Sequence, residues 1–333
     1  MRAPAFWAKR SPSLLARILA PLGAIYGAVT AWRMARPGLR VGVPVVCVGN
    51  FVAGGAGKTP AAIAIAQILR DMGERPAFLS RGYGGAARGK AVAVDPNLHR
   101  ADQVGDEPLL LARIAPCFVA RDRRLAARQA IAAGATVLVL DDGLQSPSLA
   151  KDCSFAVIDG GAGVGNGLCL PAGPLRAELG RQLPHVSAVI FVDGLSDASV
   201  TAYEGVSARP ILNARLEPDP DVATRLRDQN VLAFAGIGRP DKFFATLRAL
   251  GANVVVARSF GDHEPYSPTA LDALFAEAGS RGLTLVTTQK DFVRLTPSYA
   301  GKVTALPVAM SFDDARKVSA LLAGALARRR EAL

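Results

Sequence analysis

The sequence has no CxxC pair and no Cys/His spacing of the kind that holds a metal; its four cysteines, Cys47, Cys117, Cys153 and Cys169, stand far apart. That excludes a zinc knuckle or a disulfide scaffold and predicts reduced cysteines packed in the core of a cytosolic protein. Aromatic residues are scarce at 6%. So few cannot interleave with bases along a basic groove, and a pI near 10.0 therefore does not point to a nucleic-acid binder. Fixed-period repeats and low-complexity tracts are also lacking, apart from an alanine bias that suits helices. The most informative absence is local. No Asp or Glu occurs before Asp71, whereas nine Lys or Arg do, so this segment carries +9 of the net +11.

What is present begins with size: 333 residues, 50% of them hydrophobic, can bury a substantial core and suggest two domains. Inside the basic segment, Ile18 to Trp32 is uncharged and bracketed by Arg17 and Arg33, with Leu15, Ile18, Leu22, Ile25, Tyr26 and Val29 at helical spacing. Fifteen residues are short for a bilayer span. The pattern predicts a basic, amphipathic helix over residues 1–40 lying in the interface of an anionic membrane. The same order of charges also fits a secretion signal, but the nucleotide-type loop that follows argues against export.

From Pro44 short β-branched runs alternate with amphipathic stretches: PVVCVGN, a helix from Pro60 to Gly73, PAFLS, KAVAV, a helix near Glu107 to Ala115, CFVA, a helix near Asp122 to Ala133, TVLVL, FAVID and AVIFVD. Such alternation predicts an α/β fold, a P-loop NTPase-like parallel sheet flanked by helices over residues 41–210. A second, smaller α/β domain is expected over 211–333, from VLAFAG, VVVAR, LTLVT and VTALPVAM with helices at Pro240 to Leu250 and Pro268 to Arg281 and a basic terminal helix.

PVVCVGNFVAGGAGKTP reads as a strand, a glycine-rich turn and a helix start. Gly54, Gly55, Ala56, Gly57, Lys58, Thr59 and Pro60 are the expected nucleotide-binding residues. Glycines let backbone N–H groups face an anion, Lys58 reaches the terminal phosphates and Thr59 supplies a hydroxyl to Mg²⁺. The loop is a variant, because Val52 stands at the first glycine position of the strict pattern. TVLVLDDG ends a buried strand in Asp141 and Asp142, carboxylates suited to the same metal ion. Taken alone, those aspartates could equally cap the turn at Gly143.

GNFVAGGAGKTP, SRGYGG, VGDEPLLLA, LDDGLQ, LPAGPLR, FAGIGRPDKFF, DHEPY and TTQKD occur in that order between Pro44 and Asp291. Together they resemble the tetraacyldisaccharide 4'-kinases of lipid A biosynthesis. The resemblance implies Mg²⁺-dependent transfer of the ATP γ-phosphate to the 4'-hydroxyl of a tetraacylated glucosamine disaccharide 1-phosphate. It further implies a peripheral enzyme at the cytoplasmic face of the bacterial inner membrane, with no nucleic-acid or obligate protein partner. Asp106 of the VGDEP motif and His263 of the DH motif then form a dyad at the attacking hydroxyl, bringing the two domains together across a cleft. Glu107 is a further candidate beside the metal. Because the acceptor is anionic, Arg81, Arg121 and Arg176 are candidate clamps on it.

Three positions depart from the family pattern: Leu144 replaces a Phe, Ser146 a His, and PLRAEL replaces PLRE, moving the acid one residue on to Glu178. A competing function is a regulatory or metal-delivery P-loop NTPase, which shares the loop and the strand-terminal aspartates. Against it, TTQKD fits a guanine-reading motif only loosely and no Cys/His delivery motif is present.

Overall fold

The structure is a computed structural model, and it describes residues 4–9, 11–55, 57–83, 85, 90–194 and 206–332. Helix α1 (Leu14–Met34) opens with Ser13, whose hydroxyl accepts the Ala16 N–H at 3.2 Å. It runs past both bracketing arginines, so its 21 residues reach about 30 Å at the helical rise, longer than the uncharged stretch suggests. Its best window has a mean hydropathy of 1.6 and is only 17% buried. The residues that touch the rest of the protein are small. Ala16, Gly23 and Gly27 are buried with Met34, and a Cβ on Gly23 would fall 2.6 Å from the Cys169 carbonyl oxygen. The expected apolar stripe faces away: Ile18, Leu22 and Ile25 are 57–66% exposed.

The main sheet is built from β1 (Val45–Gly49), β2 (Pro76–Ser80), β3 (Val92–Ala93), β4 (Cys117–Val119), β5 (Val137–Asp141), β6 (Cys153–Asp159), β7 (Ala188–Val192), β8 (Ile211–Pro218) and β13 (Val308–Phe312). Their order is β13-β8-β7-β6-β1-β5-β2-β4-β3, parallel from β8 through β4 and antiparallel at the two edges. Helices α2 (Lys58–Asp71), α3 (Asp106–Ala112), α4 (Arg123–Ala132) and, at the end of the chain, α8 (Ala315–Glu331) cover it. Alternate strand residues therefore enter separate cores. Val46, Val48 and Phe78 meet Ile65 of α2 and Leu322 of α8, while Val45, Cys47 and Leu79 meet Ala126 and Ala130 of α4. Burial on both faces explains why these strands read as unbroken apolar runs.

A second sheet, β9 (Asn230–Ala235), β10 (Asn253–Ser259), β11 (Thr284–Thr288) and β12 (Thr304–Leu306), is parallel in the order β10-β9-β11-β12. Helices α5 (Pro240–Ala249), α6 (Pro268–Ser280) and α7 (Gln289–Phe292) accompany it. The border expected at residue 210 is displaced by this topology. The VTALPVAM run, read as one strand, divides at Pro307: β12 belongs to the small sheet, and β13 returns to pair antiparallel with β8 in the large one. A proline has no N–H for a ladder, which is why one apolar run serves two sheets. KAVAV likewise shrinks to the two-residue edge strand β3.

Three of the four cysteines are buried and Cys169 is half-buried, all as free thiols. Burial pushes the Cys47 thiol up to about 11, leaving it a packing residue.

Candidate active site

Parallel strands β1 and β5 are neighbours with Val48 opposite Asp141, so their carboxyl ends deliver the glycine-rich loop and the two aspartates to one edge. Gly54 and Gly57 hold φ of 110° and 85°, conformations that favour glycine, and Gly57 opens α2. A Cβ at Gly54 or Gly55 would meet nothing within 4 Å, so that side of the loop is open. Asn50, fully buried, donates from Nδ2 to the Gly54 carbonyl at 3.1 Å, and Lys58 Nζ donates to the same oxygen at 3.1 Å. Thr59 and Pro60 follow in the first turn of α2, half-buried; Ala56 lies outside the described residues.

Asp141 is 2% exposed and neither of its carboxylate oxygens has a hydrogen-bond partner; Asp142 Oδ1 is likewise buried and unpaired. Burial, aided by the charges of Glu107 and Asp142, pushes the Asp141 carboxyl up to about 8. Asp142 behaves oppositely: burial opposes its charge, but Lys58 and Arg176 hold it down at about 2. Arg123, 3% exposed, donates from Nη2 to the carbonyls of both aspartates at 3.0 and 2.9 Å and so fixes their backbone. Three orphaned carboxylate oxygens beside a phosphate loop suit a divalent cation that takes one or two carboxylates and fills its remaining positions from phosphate and water.

Of the three arginines expected to clamp the acceptor, Arg176 is engaged within the loop instead. It donates to Asp142 Oδ2 at 2.8 Å, to the Val52 carbonyl at 3.1 Å and to Gln145 at 3.2 Å. Arg81 and Arg121 are exposed and follow paired residues Ser80 and Val119 at the edge of the large sheet. The three departures from the family pattern are also placed. Leu144 is fully buried against Gly49, Ser146 shares a hydrogen bond with Ser148 at 2.9 Å, and Glu178 is exposed.

The small sheet faces this edge with its own carboxyl ends. His263, in the turn after β10 and at φ 57°, places Nδ1 3.0 and 3.2 Å from the carboxylate oxygens of Asp106, which opens α3 and is 4% exposed. The expected pair thus meets across 157 residues of sequence. Burial works against the Asp106 charge, yet the His263 hydrogen bond, Lys290 and Arg294 hold its carboxyl below the usual range. Glu107, expected beside the metal, accepts a hydrogen bond from Lys290 Nζ at 3.1 Å, and its charge also bears on Asp141.

Sequence reasoning missed Lys290, Asp291 and Arg294. Asp291, fully buried, accepts from the Gly236 N–H, the Tyr266 hydroxyl at 2.7 Å and the Thr288 hydroxyl at 2.6 Å, and it pairs with Arg294. One carboxylate therefore ties FAGIG, HEPY and TTQKD together; the order of those motifs was the available signal. On the far side of the phosphate loop, Lys242 of α5 bridges Asp159 at 2.9 Å and Asp193 at 2.7 Å, and Arg239 also pairs with Asp159. The two units thus meet on either side of the loop.

Comparison with known proteins agrees with this geometry. The profile of the family described as tetraacyldisaccharide-1-P 4'-kinase matches residues 15–327. A tetraacyldisaccharide 4'-kinase of Methylobacterium sp. (strain 4-46) is 56% identical over 98% of both chains, and that of Methylorubrum populi is 55% identical over 98% of this chain and all of its own. The crystal structure of LpxK from Aquifex aeolicus, in complex with ATP, superposes with a TM-score of 0.74 at 25% identity, covering 94% of this chain and 100% of that one. Phosphate loop, paired aspartates, dyad and these likenesses agree: the chain belongs to the tetraacyldisaccharide-1-phosphate 4'-kinase family.

Proposed function

We propose that the protein transfers the γ-phosphate of ATP to the 4'-hydroxyl of a tetraacylated glucosamine disaccharide 1-phosphate. The observation that carries this reading is the Asp106–His263 contact, which sets a carboxylate and an imidazole from separate units beside a phosphate loop. Lys58 leaves the Gly54 carbonyl for the terminal phosphates, and the loop amides from Gly54 to Gly57 cradle the chain of phosphates. Thr59, Asp141 and Asp142 would hold Mg²⁺, which would supply positive charge at the phosphoryl oxygens.

Asp106, fixed by His263, takes the proton of the 4'-hydroxyl. As that O–H bond breaks, the sugar oxygen bonds to the γ-phosphorus, and the bond to the β-phosphate oxygen opens to release ADP. Arg81 and Arg121 are the free cations of this edge among the described residues and serve the acceptor's 1-phosphate; Arg176 orients Asp142. The exposed apolar face of α1 lies in the anionic cytoplasmic leaflet, where the acyl chains of the acceptor reside. Transfer of labelled γ-phosphate to the disaccharide in detergent micelles tests the reading. Labelled lipid should form with the native chain and not with Lys58→Ala, whereas ATP hydrolysis without labelled lipid would return the switch NTPase.

A further inference from the structure

The phosphate loop is tied down through one oxygen. The Gly54 carbonyl accepts hydrogen bonds from Asn50 Nδ2 and from Lys58 Nζ, each at 3.1 Å. On the reading above, Lys58 leaves this oxygen for the terminal phosphates when nucleotide binds, so its bond belongs to the empty loop. Asn50 cannot follow. It is fully buried directly after β1, and its own carbonyl accepts from Gln145 Nε2 at 2.8 Å, while Arg176 holds the other end of the Gln145 amide at 3.2 Å.

A carbonyl is satisfied only by a donor, so Asn50 must present its NH₂ to Gly54, which turns Oδ1 the other way. That oxygen is buried without a hydrogen-bond partner. An apolar side chain of similar size would avoid this unfavourable placement, so packing alone gives no reason for an amide here, whereas donation to Gly54 does. The effect passes on through the planar peptide. In a trans peptide the C=O of one residue and the N–H of the next point in opposite directions, so holding the Gly54 oxygen inward turns the Gly55 N–H outward. Such a hold is needed at Gly54, which sits at φ 110° and has no Cβ to limit its peptide, on a side of the loop where an added Cβ would meet nothing within 4 Å.

We propose that Asn50 is a positioning residue of the phosphate loop: its amide keeps the Gly54 carbonyl when Lys58 departs and so keeps the Gly55 N–H turned toward the phosphates. The consequence for nucleotide rests on the reading of this loop given above; the hold on the carbonyl does not. The test is NMR of the full chain labelled with glycine carrying ¹³C at the carbonyl and ¹⁵N. Gly54–Gly55, Gly84–Gly85 and Gly160–Gly161 are the only adjacent glycines in the sequence, so only these pairs give a carbonyl-coupled amide signal, and Gly55→Ala identifies the first. Native chain, Asn50→Leu, Lys58→Ala and the double variant are compared, free and with Mg²⁺ and a non-hydrolysable ATP analogue, beside calorimetry with that analogue and thermal unfolding of each free chain.

Each hydrogen bond accepted moves a carbonyl carbon downfield. In the free chains the Gly54 carbon should stand furthest downfield in the native protein, at intermediate positions in the two single variants and furthest upfield in the double variant. Adding the analogue to the native chain should move it only as far as its place in free Lys58→Ala. Asn50→Leu should weaken analogue binding about tenfold, the scale of one hydrogen bond, with a thermal midpoint at or above native because an unpaired buried acceptor is gone. A native carbonyl that moves to the double-variant position on binding overturns the proposal, as does a free Asn50→Leu carbonyl at the native position. Analogue binding by Asn50→Leu within about twofold of native overturns it too. So does weaker binding accompanied by a lower thermal midpoint, which marks a merely structural side chain. Failure of the native chain to bind the analogue would fail the nucleotide reading, and the free-chain carbonyl positions would still decide whether Asn50 holds Gly54.

Discussion

Replacing Asp141 by Asn should stabilise the nucleotide-free protein, and increasingly so as the pH rises. Its carboxyl titrates near 8 in the fold against 3.8 in the unfolded chain. An acid raised in this way binds more protons folded than unfolded between those two values, so the native state loses stability as pH climbs through that window. Between pH 5 and pH 7 the two states differ by one proton over two pH units. At roughly 1.4 kcal/mol per unit, and with relaxation around the ion reducing it, the loss is on the order of 1–3 kcal/mol. Asparagine keeps the shape and cannot ionise. Chemical denaturation of both forms without Mg²⁺ or nucleotide, at pH 5 and pH 7, should give stabilities that diverge by that amount in favour of Asp141→Asn. The order should reverse with Mg-ATP, which should stabilise the native chain more. Parallel stabilities across the pH range would refute the assignment of an ionisable, cation-seeking carboxylate at this position.

Asp106→Ala should lower phosphoryl transfer about 10²- to 10⁴-fold while ATP binding by calorimetry stays near native; full activity would remove the dyad from the mechanism. Exchanging Ile18 and Ile25, 66% and 64% exposed, for Asp should abolish co-sedimentation with anionic vesicles and leave nucleotide binding intact. Lys242→Ala leaves Asp159, whose carboxylate is 9% exposed, with Arg239 as its remaining ion-pair partner among the described residues and removes the bridge to Asp193. Small-angle scattering of that variant without nucleotide should show a more extended molecule than the native chain.

The large sheet was legible because its strands are buried on both faces and therefore read as unbroken Val, Ile and Leu runs punctuated by helices. The phosphate loop was legible because its glycines and Lys58-Thr59 sit at the one turn where that run meets a helix. Pro307 was harder: an apolar run of strand length carries no local mark of which sheet each half will join, since that is decided by partners distant in sequence. Arg176 illustrates the same limit at the site. A cation in a glycine-rich loop reads alike whether it meets a substrate phosphate or the neighbouring Asp142, and only the spatial arrangement separates the two. Lys290 carried chemistry that TTQKD does not announce, because its partners His263 and Glu107 come from other segments.

The return of the chain at β13 has a consequence for biosynthesis. Val318, Leu322, Ala325 and Leu326 of α8 lie in the same core as Ala61, Ile65 and Leu69 behind the phosphate loop. A ribosome makes that loop early and its backing last, after the whole small unit has emerged. Until then the flank of α2 that packs on β13 and α8 stands uncovered, although β1, β2 and β5 already back the rest of the helix, so a nascent chain displays the nucleotide motif before its support is complete. Premature termination just short of α8 should therefore leave an aggregation-prone polypeptide rather than a slower enzyme.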